Sequence, residues 1–471
     1  MEKIEFNSQQ IEQNVTAINL PERSENQAAR EMLAREAYDP VSIVEGQREL
    51  LANLGETPFR YIGQKLVKGE TLNYETAFLG MTYVVSATNV ALFTELAPSI
   101  KKAHGLLNIN QMELRGPAQT FLTAMAQRES LGVITPEEVA GMVAAGMMDI
   151  NMRLGFEPYI LETGGMGGDR GFVVEGEKKK VINASTLSAV VLSSLGIPVL
   201  KHGSYANTSA VGSTDAIEAL GVNIHQSSFA QIERLFDNTS FYFSDAHVSK
   251  TIHDLSHSPF IRHETINHII GPMTPPVDSK TRLNKIIGVN EGIHPKVIAK
   301  AYKILHDRGA QRIGNVLVVS GLNQEYCGQV DIENQKEMQK YMMLDEASPY
   351  MTLLGVVQNG EYEGCHMVTP EDFGIQIDAS DIQTANTHYD LLRANDNALH
   401  GVSVNGDYLA MNAALGLFAA EYMDCEDAVT LGGLNKEFLK EAFGRCKNAL
   451  LSGQSAQHLN KIVEFSKSNN E

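Results

Sequence analysis

A chain of 471 residues, 43% hydrophobic and 20% charged, holds enough apolar material for a large core and about two domains. Its net charge of −19 excludes a broad nucleic-acid surface, and its longest apolar runs, such as Ala189 to Leu192 and Val316 to Val319, are far too short to cross a bilayer. The opening Met1-Glu-Lys-Ile-Glu lacks the features of a secretion signal, and Cys327, Cys365, Cys425 and Cys446 show no paired spacing. The expectation is a cytoplasmic protein with reduced thiols.

Residues 1–57 are polar and acidic and read as an N-terminal extension, with a helical segment from Asn26 to Arg35. Residues 58–155 read as helical. Ile62 to Val67, Tyr74 to Val84 and Pro117 to Ser130 carry apolar residues at helical spacing. Thr135-Pro-Glu-Glu138 opens a further helix, with Thr as N-cap, Pro in the first position and Glu in the first turn.

The period changes at Tyr159-Ile-Leu161, a β-type run ending in a glycine loop. A helix from Ser185 to Leu195, a strand from Ile197 to Leu200 and a helix from Ser213 to Leu220 follow. Phe241 to Phe243, Lys285 to Val289 and Asn315 to Val319 read as strands, and His294 to Asp307 as a helix. After Tyr362 the text is irregular until two late helices, Leu409 to Tyr422 and Glu437 to Ser452. Strands alternating with helices predict an α/β domain over residues 156–471 with a mostly parallel sheet covered on both faces.

Four pieces between Gly164 and Gly221 carry the chemistry: Gly164-Gly-Met-Gly-Gly-Asp169, Asn183-Ala-Ser-Thr186, Lys201-His-Gly203 and Gly212-Ser-Thr-Asp215. Each falls where a strand gives way to a helix or turn. Glycines let main-chain N–H groups close around an anion, and helix N-termini add unpaired donors. Lysine supplies formal charge. Together they suit one polyphosphate.

These residues, in this order, resemble the anthranilate phosphoribosyltransferase family, glycosyltransferase family 3, over roughly residues 58–466. The glycine loop is similar to that family's Gly-Thr-Gly-Gly-Asp with Met166 in place of Thr. Asn183 to Thr186 resembles its Asn-Ile-Ser-Thr, and Lys201 to Gly203 its Lys-His-Gly-Asn. Ile269-Ile-Gly-Pro272, Val368-Thr-Pro-Glu-Asp-Phe-Gly374 and Asn412-Ala-Ala414 look like further landmarks. The resemblance implies a small helical-bundle domain beside the α/β domain, a homodimer joined through the helices, and transfer of phosphoribosyl from phosphoribosyl pyrophosphate to a nitrogen acceptor.

By the same resemblance, Gly165, Gly167, Gly168, Asp169, Asn183, Ser185, Thr186, Lys201 and Ser213 surround the donor, with Lys201 and His202 in catalytic positions. Ser204, Tyr205, His247, His253 and Arg262 are expected on the acceptor side, although a histidine taken alone is more often a structural hydrogen-bonder. Mg²⁺ would be held by Ser185, Asn323 and Glu325.

Three departures from the family pattern shape the expectation. Ser204-Tyr205 follows Lys-His-Gly where the family has Asn. Ser256-His-Ser-Pro259 stands where it has an arginine pair, the residue suited to gripping a carboxylate with two parallel bonds. The acidic pair expected after Val318-Val-Ser-Gly-Leu322 reads Asn323-Gln324, with Glu325 next. Mg²⁺ prefers hard anionic oxygens, so two amides weaken that site. The acceptor is therefore expected to be an aromatic or heterocyclic nitrogen nucleophile other than anthranilate. The alternatives are true anthranilate phosphoribosyltransferase, a nucleoside or nucleotide phosphorylase, and a non-catalytic family member. The run Glu175-Gly-Glu-Lys-Lys-Lys180 reads as a solvated hairpin tip, with a phosphate-facing lid as the alternative, and Ala97 to Leu114 as a surface elaboration of the helical domain.

Overall fold

The computed structural model describes residues 43–467 apart from 44, 150–153, 157, 167–170, 175–176, 180, 206–211, 227, 247–250, 253–254, 256–264, 386, 402 and 431. The segment Asn26 to Arg35 lies outside the described residues.

Among the described residues six α-helices come first: α1 (Glu45–Ala52), α2 (Phe59–Val67), α3 (Tyr74–Ser86), α4 (Val90–His104), α5 (Arg115–Ser130) and α6 (Pro136–Gly146). Asn73 and Asn89 cap α3 and α4 through their side-chain oxygens. Helix α6 begins as its sequence predicts, with Thr135 and Glu138 forming a reciprocal capping box and Pro136 in the first turn. Glu138 is fully buried and also binds Arg128 at 3.0 Å and the Leu72 N–H at 2.9 Å. One carboxylate thus ties α5, α6 and the turn before α3 together. Gly141 lets α6 approach α3 closely, since a β-carbon there would overlap the Tyr74 carbonyl. The segment from Ala97 to Leu114 is the second half of α4 and a 3₁₀ turn at Gln111–Leu114.

The remaining chain builds the sheet. Its strands are β1 (Ile160–Gly165), a small hairpin β2 (Phe172–Val174) and β3 (Glu177–Lys179), then β4 (Val199–Gly203), β5 (Phe241–Asp245), β6 (Leu283–Gly288), β7 (Ile313–Leu322), β8 (Met342–Leu344), β9 (Met351–Gln358) and β10 (Glu361–Val368). The helices are α7 (Ala184–Ser194), α8 (Ser213–Ala219), α9 (Phe229–Thr239), α10 (Asn267–Met273), α11 (Pro295–Asp307), the single turn α12 (Gln335–Met338), α13 (His388–Leu399), α14 (Val404–Leu417), α15 (Lys436–Leu451) and α16 (Gln454–Lys467).

The strand order is β10-β9-β7-β6-β1-β4-β5, with β8 beside β7. From β7 across to β5 all neighbours are parallel, while β8, β9 and β10 are antiparallel. All ten residues of β7 are buried, as a strand covered on both faces must be. The α/β class with a mostly parallel sheet and a separate helical layer is the architecture expected from the sequence. The irregular stretch expected after Tyr362 differs: β10 continues to Val368, and α13 follows before α14. Its alternating exposure marks an edge strand, whose weak apolar pattern hides it in the text.

Topology decides where a ligand sits. The chain runs from β1 outward through β4 to β5, then returns to place β6 on the opposite side of β1. Between β1 and β6 the winding reverses, and a crevice opens at the carboxyl ends of these strands.

Candidate active site

The crevice is a small cleft, open to solvent, lined by Thr163, Gly164, Ser185, Ser188, Ile286, Gly288, Val319, Asp345, Glu346 and Asn412. Strand β1 supplies Thr163 and Gly164, β6 supplies Ile286 and Gly288, and the first turns of α7 supply Ser185 and Ser188. Thr163 Oγ1 donates to the Ser185 carbonyl at 3.1 Å, stitching the strand to the helix start. Ser188 Oγ has no hydrogen-bond partner among the described residues.

Asp345 and Glu346 face this wall from the turn between β8 and β9. Gly165 and Gly288 pair in register at the ends of β1 and β6. A β-carbon at either would overlap Asp345, so both positions require the smallest residue for that turn to seat. Helix α14 holds the turn from behind. Asn412 accepts the Ala347 N–H at 2.8 Å, and the Tyr408 hydroxyl donates to Glu346 at 3.1 Å. Ser348 Oγ donates to the Leu322 carbonyl at 2.7 Å, fixing the turn to the end of β7.

Asn323 and Glu325, expected to hold a metal with Ser185, do not line this cavity. Asn323 uses its side-chain oxygen to accept the Glu325 N–H at 3.0 Å and its amide to reach the Lys340 carbonyl at 3.3 Å, closing a turn. Glu325 is exposed. The chain makes an excursion over residues 323–341 before the acidic pair arrives. Asp345-Glu346 is the only Asp-Glu dipeptide in the sequence, and that signal was enough to find it had the spacing after β7 been allowed to stretch.

The other sequence candidates divide. Ser185 lines the crevice, and Gly165 stands beside the Asp345 carboxylate. Ser213 opens α8 directly against Gly203, where a β-carbon would overlap it. Asn183 stands at the N-cap of α7, and Thr186 is buried with its hydroxyl unpartnered among the described residues. Lys201 is 1% exposed and donates to the His202 carbonyl at 2.6 Å; neither residue lines the cavity. Ser204 is half-buried, and the Tyr205 hydroxyl donates to Glu218 at 3.3 Å. Gly167, Gly168, Asp169, His247, His253 and Arg262 lie outside the described residues, as does Ser256 to Pro259.

Two carboxylates and two hydroxyls around one cavity form an all-oxygen donor set suited to Mg²⁺. Among the described residues no group of three His, Cys, Asp or Glu could hold a metal by itself. No described helix is long and apolar enough to cross a membrane.

Below the crevice, Glu162 of β1 and Lys285 of β6 pair across the register, both fully buried. Burial holds the Lys285 ammonium well below the ordinary lysine range. Its Nζ also donates to the Pro272 carbonyl at 2.8 Å.

A sheet whose winding reverses beside a helix start, with acidic and hydroxyl groups at the strand ends, defines a phosphate-handling α/β enzyme. Comparison gives the family. Residues 173–456 match the model of the glycosyl transferase family, a/b domain. An anthranilate phosphoribosyltransferase from Nitrosospira multiformis is 27% identical over 376 residues, spanning 78% of this chain and 92% of the relative. The enzyme of that name from Bordetella avium is 30% identical over 268 residues, 54% and 67% of the two chains. Among solved structures, the anthranilate phosphoribosyltransferase of Thermus thermophilus shares the fold with a TM-score of 0.60 at 21% identity, covering 86% of this chain and 99% of its own. The enzyme from Saccharomyces cerevisiae, in complex with PRPP and Mg, gives 0.61 at 19% identity, covering 87% and 98%. The chain belongs to this family and is a glycosyltransferase-type enzyme similar to the anthranilate phosphoribosyltransferases.

Proposed function

We propose that the protein transfers the 5-phosphoribosyl group of phosphoribosyl pyrophosphate to the nitrogen of an aromatic amine, with anthranilate as the acceptor. The observation that carries this is Asp345-Glu346 facing Ser185 across the β1–β6 crevice, an arrangement suited to a metal-bound diphosphate. The expectation of a different acceptor rested on Ser204-Tyr205 and on the missing arginine pair; against it, the relatives are named for anthranilate.

In the reaction the acceptor nitrogen bonds to C1 of the ribose as the C1–oxygen bond to diphosphate breaks, and the nitrogen releases a proton. Charge builds on the departing diphosphate, so positioning and neutralisation carry the catalysis. The main chain at Gly164 and Gly165 and the start of α7 would receive phosphate oxygens, while Asp345, Glu346 and Ser185 would hold Mg²⁺. That ion, when bound, neutralises the leaving group. By the family resemblance Lys201 belongs to the donor side, and Ser204 and Tyr205 to the acceptor side. Val67 and Leu107, 89% and 94% exposed on the helical layer, support a homodimer through that layer.

The test is diphosphate release from phosphoribosyl pyrophosphate with anthranilate, with and without Mg²⁺. Metal-dependent release with loss of free amine supports the reading. No release with any arylamine, together with no donor binding by calorimetry, overturns it. A second reading, a nitrogen acceptor without a carboxylate, is favoured by Ser256 to Pro259 standing where an arginine pair is expected. Faster turnover of such an amine in the same assay would select it.

A further inference from the structure

Helix α7 carries four serines, and their hydroxyls meet different fates. A serine inside a helix can donate back to a carbonyl three or four residues earlier. Ser193 does so to Val190 at 3.1 Å, and Ser194 to Val191 at 2.6 Å. Ser188 does not. The carbonyl three residues before it, that of Ser185, already accepts from Thr163 Oγ1 at 3.1 Å. Ser188 Oγ is left without a partner among the described residues, on a residue only 3% exposed. A buried hydroxyl that makes no hydrogen bond costs about 1–3 kcal/mol, so its presence calls for a reason.

Its place supplies one. Thr186, Thr214 and Ser320 also keep buried hydroxyls unpartnered among the described residues, but none of them lines the crevice. Ser188 does. It stands three residues from Ser185 and shares its face of α7, and both serines line the cleft with Asp345 and Glu346. Ser185 is half-buried and Ser188 buried, so Ser188 is the more enclosed of the two.

We infer that Ser188 is a further member of the metal and diphosphate site, its hydroxyl oxygen accepting from a water that the bound cation retains. This rests on the donor reading above. Mg²⁺ sheds water reluctantly and keeps several molecules of it when held by one or two carboxylates and a substrate's phosphates. The cation polarises such a water and makes it a strong donor, and a hydroxyl oxygen accepts from it without adding charge. A small cleft and an enclosed hydroxyl suit a water-sized partner better than a phosphate group. Ser185, nearer the helix start, is the proposed ligand; Ser188, one turn on, orients the shell around the ion.

Ser188→Ala deletes one oxygen and keeps the helix. Its binding of magnesium diphosphate, and of metal-free diphosphate in excess chelator, is read by calorimetry, and its stability by thermal unfolding. Affinity for magnesium diphosphate should fall about 10-fold, as for the loss of an outer-shell partner, while affinity for metal-free diphosphate stays at the wild-type value. The metal-free variant should unfold at the same temperature as wild type or higher, because alanine removes a buried group that had no hydrogen bond. Equal affinity of variant and wild type for the magnesium complex overturns the inference. So does an equal loss with and without metal, which would make Ser188 a phosphate contact. A clearly lower Tm overturns it as well, since the hydroxyl would then be satisfied in the free protein. A wild-type protein that binds neither form of diphosphate overturns the proposed function instead, and the inference falls with it.

Discussion

Two pairs of charges lie close together at the β1–β6 seam, and they do opposite things. Glu162 and Lys285 form the floor, fully buried and directed at each other, and the Glu162 oxygens make no hydrogen bond to any other described residue. Asp345 and Glu346 form the rim, seated on glycines and facing an open cavity with two serines. The floor spends its electrostatics internally; the rim stands on the wall of the cavity. Strand register separates the roles. Glu162 and Lys285 are directly paired, and Gly165 and Gly288, three residues on, leave room for the rim to descend.

The strongest way to break the contrast is to remove half of the floor. Lys285→Met leaves a buried carboxylate without its partner and should cost about 3–5 kcal/mol of stability, read by denaturant unfolding. The double change Glu162→Leu with Lys285→Met should recover most of the loss, since a buried pair is worth little more than well-packed apolar residues of similar size. If the single variant is as stable as wild type, the floor carries no uncompensated charge.

The rim should behave in reverse. Glu346→Gln keeps the shape and removes the charge, so unfolding should be nearly unchanged while kcat/KM at fixed Mg²⁺ falls about 100- to 1,000-fold, the effect of losing one transition-state electrostatic contact. Asp345→Asn should act similarly. A variant that loses stability rather than turnover would place the rim with the floor.

The sequence reveals the floor's setting more readily than the rim's. Parallel strands announce themselves because burial on both faces demands continuous Val, Ile and Leu, as in Val316 to Val319, and because glycine ends β1, β4 and β6. Helix starts are legible where a side chain caps them, as at Thr135. What hides the rim is an insertion. Residues 323–341 carry turn chemistry of their own, so a reader expecting acids directly after β7 meets Asn323-Gln324 and concludes that the charges are lost. Long-range partners are equally hidden. Nothing local in Asn395 or Tyr408 says that one grips Asn183 and the other Glu346, because those contacts exist only once α13 and α14 pack across the sheet.

The excursion that feeds the rim also makes it more sensitive to acid. His294 caps α11 by accepting the Lys296 N–H at Nδ1, while its Nε2 meets the Ile332 carbonyl, which requires the neutral ring protonated on Nε2. Burial lowers its pKa to about 4 from 6.5. The folded protein therefore resists a proton that the unfolded chain accepts below pH 6.5, and stability falls as pH drops from there toward 4. Between pH 7 and 5 this amounts to about 2 kcal/mol. A His294→Asn variant, which still caps the helix, should lose that portion of the pH dependence of Tm. An unchanged slope would show that His294 is not the group responsible.

The smallest effect tests whether the rim depends on its support. Tyr408 is fully buried on α14, and its hydroxyl donates to Glu346 Oε1. A phenol donating to one carboxylate oxygen restricts the rotation of that group. Tyr408→Phe keeps the ring in the core and deletes only this hydrogen bond, so Tm should shift little. The Mg²⁺ concentration giving half-maximal rate should rise about 10-fold, as for the loss of a group that orients a metal ligand. Because the change acts on affinity, saturating Mg²⁺ should restore kcat, whereas Glu346→Gln should stay impaired at any metal concentration. Were the Phe variant to remain slow at saturating metal, Tyr408 would be shaping the bound diphosphate rather than the carboxylate. The contrast between floor and rim would then extend one layer further back into α14.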